Sequence, residues 1–128
     1  MTGRVPAWTG WYLVAQAAAT ALWWVWMFGA PEARAIFFAD DSYELLRRFA
    51  VPDLLVFGGG SLLAGGLVLR SHPAAKVAAW FTLGAATYAT LGALAANWPI
   101  GTKPVADVAM ALTVGGTAWV VRVLGRAS

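Results

Sequence analysis

The chain has 128 residues, of which 60% are hydrophobic and 12% are charged, and its formal net charge is +3. A water-soluble domain carries about a quarter charged residues, so this composition excludes an ordinary soluble fold. The absence of cysteine excludes disulfides and thiolate chemistry, and a single histidine excludes a multi-histidine metal site within one chain. We expect no metal site, and no nucleic-acid partner, because the basic residues form no patch interleaved with aromatics.

Four apolar runs predict an all-α, polytopic integral membrane protein, because a bilayer core of roughly 30 Å needs about 20 apolar residues in a helix. The sequence predicts a single membrane domain, a four-transmembrane-helix bundle with helices at about 8–28, 52–70, 73–96 and 104–124. Arg4 and the small residues around position 34 are also features of a signal peptide. However, the first run is longer than a typical signal core, so we expect a membrane helix there.

The only long connection is an outer loop over residues 29–51, and it follows a helix with tryptophans at both ends. Tryptophan favours headgroup depth, because its apolar ring carries one polar N–H. Within the loop, the polar run 40–42 could cap a short helix that starts near Tyr43. Such a helix could lie on the bilayer surface, or it could cover a site between the helices as a lid.

The positive residues predict the orientation, because cytoplasmic ends of membrane helices are enriched in lysine and arginine. One side of the predicted bundle carries five basic residues: Arg4, Arg70, Lys76, Arg122 and Arg126. The other side carries four basic residues and can accommodate all six acidic residues of the chain. We therefore expect a multi-pass protein of the cell membrane with both termini cytoplasmic and the long loop outside.

Asp53 and Asp107 are the candidate catalytic residues, because ionisable groups within membrane spans are costly and often functional. Each is predicted in the first turn of a helix, where the dipole stabilises a carboxylate by roughly 0.3–1 kcal/mol, so capping alone could explain both. Other polar and aromatic side chains reach a similar depth. The candidate binding residues are Asp53, Asn97, Trp98, Asp107, Trp23 and Tyr88.

Polar and small residues also occur at the middle of the predicted helices. Hydroxyl and amide groups such as those of Gln16, Ser61 and Thr117 commonly bond their own backbone or a neighbouring helix, and lining a substrate cavity is the alternative. Small residues over 58–66 predict close helix packing, either within the chain or between chains. We therefore expect a homo-oligomer or a subunit of a membrane complex.

One stretch of the chain resembles a known family. The matching residues are Pro52-Asp53-Leu54-Leu55, Gly59-Gly60-Ser61-Leu62-Leu63, Gly66-Leu67, Arg70 and Ala74-Ala75. They resemble the second and third helices of DoxX-like membrane proteins, which are small four-helix proteins, some associated with quinone-linked or sulfur redox complexes. The resemblance implies the four-helix fold. Many members carry an acidic residue near the position of Gly59 or Gly60, which this chain lacks, so no catalytic residue is carried over.

Three functions remain open from the sequence. The first is binding of an apolar or amphiphilic ligand, such as a lipid, a quinone or an isoprenoid, or service as a subunit of a membrane complex. The second is a lipid- or isoprenoid-modifying enzyme in which Asp53 and Asp107 divide acid and base roles. The third is a small-molecule transporter, against which stands the lack of an acidic residue at the centre of any predicted span. The sequence identifies no cofactor.

Overall fold

The computed structural model describes residues 5–38, 43–97 and 103–127, and within these ranges the side chains of 43–45 and 96–97 are not described. Every described element is a helix, so the all-α prediction is confirmed for this part of the chain. The elements are α1 (Ala7–Gly29), α2 (Pro31–Phe37), α3 (Tyr43–Pro52), a π-helical segment (Asp53–Gly58), α4 (Gly59–Leu69), α5 (Ala75–Asn97) and α6 (Pro104–Ala127).

Three helical stretches are long and apolar enough to cross a membrane: Leu46–Leu69, Ala75–Ala95 and Pro104–Ala127. A fourth candidate is α1 together with α2, and the helix axis bends by 113° between them. By itself α1 has 23 residues, which at 1.5 Å per residue gives a rod of about 35 Å. The described residues therefore contain three or four helices of membrane-spanning character, which indicates a membrane protein.

The sharp bend between α1 and α2 has a local cause in the sequence. Ala30 is extended, with φ −129° and ψ 97°, and Pro31 starts α2 because its fixed φ suits a first helical position. The buried Arg34 folds back along the bend, and its Nη1 donates a 3.5 Å hydrogen bond to the carbonyl oxygen of Met27. A cation at this place also complements the negative end of the α1 dipole.

Helix α2 is tied to the start of α6 through main-chain oxygens. The backbone N–H of Lys103 donates to the carbonyl oxygen of Phe37 at 3.3 Å, and the Lys103 ammonium donates to the carbonyl oxygen of Ala35. These contacts hold the two elements together where α6 enters the bundle.

The second long helix starts earlier than the sequence predicts. We expected a span from Pro52 and a separate short helix near Tyr43, whereas α3 begins at Tyr43 and continues through Pro52 into the π-helical segment and α4. The φ of Pro52 is −64°, which a helix accepts, but its ring nitrogen cannot donate to the backbone ladder. The wider π-helical turn starts at the next residue, Asp53, and ends at Gly58, where α4 begins with Gly59. The predicted capping residues 40–42 lie outside the described residues.

A tight turn reverses the chain between α4 and α5. Ser71 adopts a left-handed φ of 52°. The N–H of Ser71 donates to the carbonyl oxygen of Val68, and the N–H of His72 donates to that of Leu67, each at 2.9 Å, which is the Schellman pattern of helix ends. The Nδ1 of His72 then accepts a hydrogen bond from the N–H of Ala74 at 3.1 Å. As a result, α4 and α5 pack side by side.

Two apolar clusters lie at opposite ends of the bundle. The terminal-end core joins α1, α4, α5 and α6, and its buried residues are Leu13, Ala64, Val68, Ala75, Ala79, Val120, Val121 and Leu124. The loop-end core joins α1, α2, α3 and α6, and its buried residues are Trp24, Met27, Ala33, Phe37, Leu46, Ala50 and Ala106. A layer of polar side chains separates the two cores.

Gly65 of α4 and Gly10 of α1 serve packing within the chain. A Cβ atom on Gly65 would lie 2.8 Å from the carbonyl oxygen of Gly10, and one on Gly10 would lie 2.7 Å from Cγ of Leu69. Helices α1 and α4 therefore approach at backbone distance, as small residues permit. A Cβ atom on Gly116 of α6 would overlap the Tyr12 hydroxyl group. By contrast, Gly66, the residue after Gly65 in α4, faces open space.

Candidate ligand-binding site

The described structure pairs Asp53 with a tryptophan of α1. The Nε1–H of Trp24 donates a 2.9 Å hydrogen bond to Oδ2 of Asp53. The indole is buried and the aspartate is half-buried. Among the described residues, Trp24 is the hydrogen-bond partner of this carboxylate, so the second oxygen, Oδ1, remains available to a further donor.

Asp53 is not a helix cap in this structure. Because α3 precedes the π-helical segment without a break, the backbone around Asp53 lies inside a continuous helical path that begins at Tyr43. The free N–H groups of a helix start, which would stabilise a capping carboxylate, are absent from this position. π-Helical turns occur frequently at functional sites, and here such a turn places the acid against α1.

An apolar groove lies directly beside this pair. It has a volume of about 630 Å³, and it is a shallow, open groove, not an enclosed pocket. Five lining residues follow one face of α1 and one comes from the π-helical segment: Ala21, Trp24, Val25, Phe28, Gly29 and Leu54. From Ala21 to Gly29 the groove follows about 12 Å of helix rise. It is open along one side, where Val25 is 70% exposed.

The indole of Trp24 connects the groove and the acid. Its ring forms part of the groove wall, while its N–H is directed to Asp53. Leu54, the residue after Asp53, closes the groove from the opposite element. The Trp24 side chain therefore lies between the carboxylate and the apolar groove, whose own lining contains no charged residue.

Trp23 belongs to a different contact. Its ring packs edge-on against Phe37 of α2 at a centroid distance of 4.4 Å, and against Trp26 at 6.0 Å. Trp26 also packs against Phe37 at 5.9 Å, so the three rings form one aromatic cluster. Trp23 thus fixes α2 against α1, and the lining of the groove does not include it.

The other candidate residues either lie apart from the groove or have side chains that the structure does not describe. Asp107 is half-buried in the first turn of α6, next to Ala106 of the loop-end core, where its carboxylate lies at the positive end of the helix dipole. Tyr88 is 82% exposed on the outer surface of α5. Asn97 ends α5 with its side chain not described, and Trp98 lies outside the described residues. Sequence reasoning thus named Asp53 but missed Trp24, its partner.

The mid-depth polar layer is a hydrogen-bonded network across three helices. The Nε2 of Gln16 donates to Oγ of Ser61 at 2.9 Å, which joins α1 to α4. The Thr117 hydroxyl is 3.1 Å from Oε1 of Gln16 and 2.8 Å from the carbonyl oxygen of Thr113, so it joins α6 to the same amide. Ser61 and Thr117 are fully buried. These contacts agree with the expected structural role of such groups between membrane helices.

The chemistry available at the groove is that of a single carboxylate next to apolar walls. Among residues 5–38, 43–97 and 103–127, no three histidine, aspartate or glutamate side chains come together in a group that could hold a metal ion. The groove's lining includes neither Asp53 nor Asp107. The arrangement can accommodate a hydrocarbon chain and can present one acceptor to a polar group at its edge.

Comparison with known proteins gives no match: no protein-family model, no curated protein and no solved structure resembles this chain at a significant level. The geometry of the groove and of the Trp24–Asp53 pair is therefore the basis for a functional conclusion.

Proposed function

We propose that the protein is a multi-pass protein of the cell membrane that binds the hydrocarbon chain of an amphiphile in the groove along α1. In this proposal α1, the long helix from Tyr43 to Leu69, α5 and α6 are the four spans of a DoxX-like bundle, and both termini are cytoplasmic. Supporting this topology, Arg70, Lys76, Arg122 and Arg126 are all exposed at the terminal end, which follows the positive-inside rule.

The groove is the observation that carries the proposal. All six of its lining residues are apolar. Its open side lies along α1, and α1 contains no charged residue. An acyl or isoprenoid chain fits these walls, since such a chain needs apolar contact and no hydrogen bond. The long axis, about 12 Å of helix rise, suits an extended chain better than a compact ring system such as a quinone head.

A photoreactive chain tests this proposal. The protein in lipid nanodiscs is labelled with a long-chain fatty alcohol that carries a diazirine in mid-chain, and labelled peptides are mapped by mass spectrometry. We expect labelling to concentrate on Ala21–Gly29 and around Leu54, because a chain bound in the groove has a longer residence time than a lipid that contacts the protein surface transiently. Labelling spread evenly over all exposed apolar helix faces would contradict the proposal.

A matched pair of variants makes the test specific. Val25→Trp places a large ring in the groove, whereas Leu22→Trp places the same ring on a neighbouring face outside it. The two parent side chains are equally exposed, at 70% and 69%. Val25→Trp should lose the concentrated labelling and Leu22→Trp should keep it. Equal labelling of the two variants would show that the groove is not the binding site.

A further inference from the structure

The geometry points to a protonated amine as the polar group of the bound amphiphile, held by the carboxylate of Asp53. This inference rests on the proposed function and specifies the ligand class for the same groove. The occupant is then a single-chain or lipid-like molecule with its hydrocarbon along α1 and its ammonium group at Asp53.

The nearest charged side chains on the helix of Asp53 are the exposed Arg47 and Arg48, which precede it by six and five residues in α3. Residues 7–29, 54–69 and 77–97, which cover α1, α4 and nearly all of α5, contain no acidic or basic side chain. Among the described residues no cationic group forms an ion pair with Asp53. A charge within a membrane span is costly and normally has a partner, so a ligand cation would supply what the chain itself does not.

The carboxylate is also placed at the edge of the chain site. Trp24 lines the groove and donates its N–H to Asp53 at 2.9 Å, and Leu54 lines the groove immediately after Asp53 in sequence. An amphiphile whose chain contacts Trp24 and Leu54 therefore has its polar end within reach of this acid. Since Asp53 is only half-buried, it is accessible from outside the protein.

The second carboxylate oxygen of Asp53 favours a ligand whose polar group donates a hydrogen bond. Trp24 occupies Oδ2, which leaves Oδ1 as an acceptor, and an ionised carboxylate can only accept hydrogen bonds. An anionic head would be repelled, and a hydroxyl head would form one neutral–charged bond. An ammonium head forms a charge-assisted bond with full charge complementarity, so it is the strongest fit.

A competition experiment on the parent protein tests the inference directly. Dodecylamine, dodecanol and dodecanoate carry the same chain and displace the diazirine alcohol from the Ala21–Gly29 segment. The amine is protonated at neutral pH. We expect it to displace the probe at a concentration at least about tenfold lower than the alcohol, the lower end of the coupling seen for close charge pairs. The carboxylic acid should be the weakest competitor.

Variants assign this preference to the carboxylate. Asp53→Asn keeps an oxygen for the indole N–H and removes the charge, so the amine should lose its advantage while the alcohol competes as before. Glu32→Gln removes an exposed acid of α2 and should leave the preference unchanged. Asp53→Glu keeps the charge and should retain the preference, which keeps the test decisive even if Asp53→Asn fails to fold.

The outcomes separate the two proposals. If the amine and the alcohol displace the probe equally, or if Asp53→Asn keeps the amine preference, the inference is overturned while chain binding stands. If Asp53→Glu loses the preference although the alcohol still competes, the inference is also overturned. If no competitor displaces the probe from the α1 segment of the parent protein, the groove is not a chain site and the proposed function itself fails.

Discussion

The contact between α1 and α4 should be sensitive to a single added methyl group at Gly65. The Cβ atom of an alanine there would lie 2.8 Å from the carbonyl oxygen of Gly10, 2.9 Å from Cγ2 of Val14 and 3.1 Å from the backbone nitrogen of Val14. Two of these three atoms belong to the backbone of α1. A side-chain rotation cannot relieve the contact, so the helices must move apart.

The adjacent Gly66 provides the matched control, since a Cβ atom there meets nothing within 4 Å. Both substitutions gain the helix propensity of alanine over glycine, about 1 kcal/mol. Only Gly65→Ala adds the overpacking cost, typically about 1–3 kcal/mol. We therefore expect Gly65→Ala to have a free energy of unfolding about 1–3 kcal/mol below that of Gly66→Ala.

The measurement is reversible unfolding in mixed micelles, with the denaturing detergent increased stepwise and helicity followed by circular dichroism. Both variants are compared with the parent protein under the same lipid and detergent conditions. If Gly65→Ala proves as stable as Gly66→Ala, α1 and α4 are not in backbone contact at this position, and the packing described above is refuted.

Two further predictions concern the polar layer and self-association. Gln16→Leu should lower the free energy of unfolding by up to about 2 kcal/mol, the upper range for interhelical hydrogen bonds in membranes, whereas Thr87→Val, whose hydroxyl bonds only within α5, should lower it much less in the same titration. A cysteine at Gly84, where the space is open, should crosslink two chains in native membranes if the protein forms the expected homo-oligomer. A cysteine at Gly60, where an added Cβ atom would lie 3.1 Å from Oγ1 of Thr82, should not crosslink; absence of any crosslinked dimer would argue for a monomer.

The sequence was most informative about which segments are helical. The apolar run predicted at 104–124 corresponds to α6, Pro104–Ala127, because the length of an apolar run directly limits where a membrane helix can lie. The start of the second span was less accessible. Proline has the same φ at the first position of a helix and inside one, so Pro52 alone could not distinguish a beginning from a continuation.

The candidate site was only partly accessible for a geometric reason. Neighbouring residues of a helix point about 100° apart, so choosing between Trp23 and Trp24 as the partner of Asp53 requires the rotation of α1. That rotation is set by packing on α2 and α4, and the π-helical turn shifts the register of the facing helix. The residues around Trp23 and Trp24 encode neither effect. Tyr88 likewise was placed by depth alone, and depth does not specify which face it occupies.

The network around Gln16 determines the axial alignment of the bundle. No hydrophobic driving force selects one axial alignment of apolar helix faces in a bilayer, because lipid tails and side chains are equally apolar. A slide of α1 by one turn, about 5.4 Å, would carry the amide away from Ser61 and Thr117, its hydrogen-bond partners, and leave polar groups unpaired in hydrocarbon. Together with the close contact between Gly10 and Gly65, this glutamine sets the height at which Trp24 meets Asp53, about two turns further along the same helix.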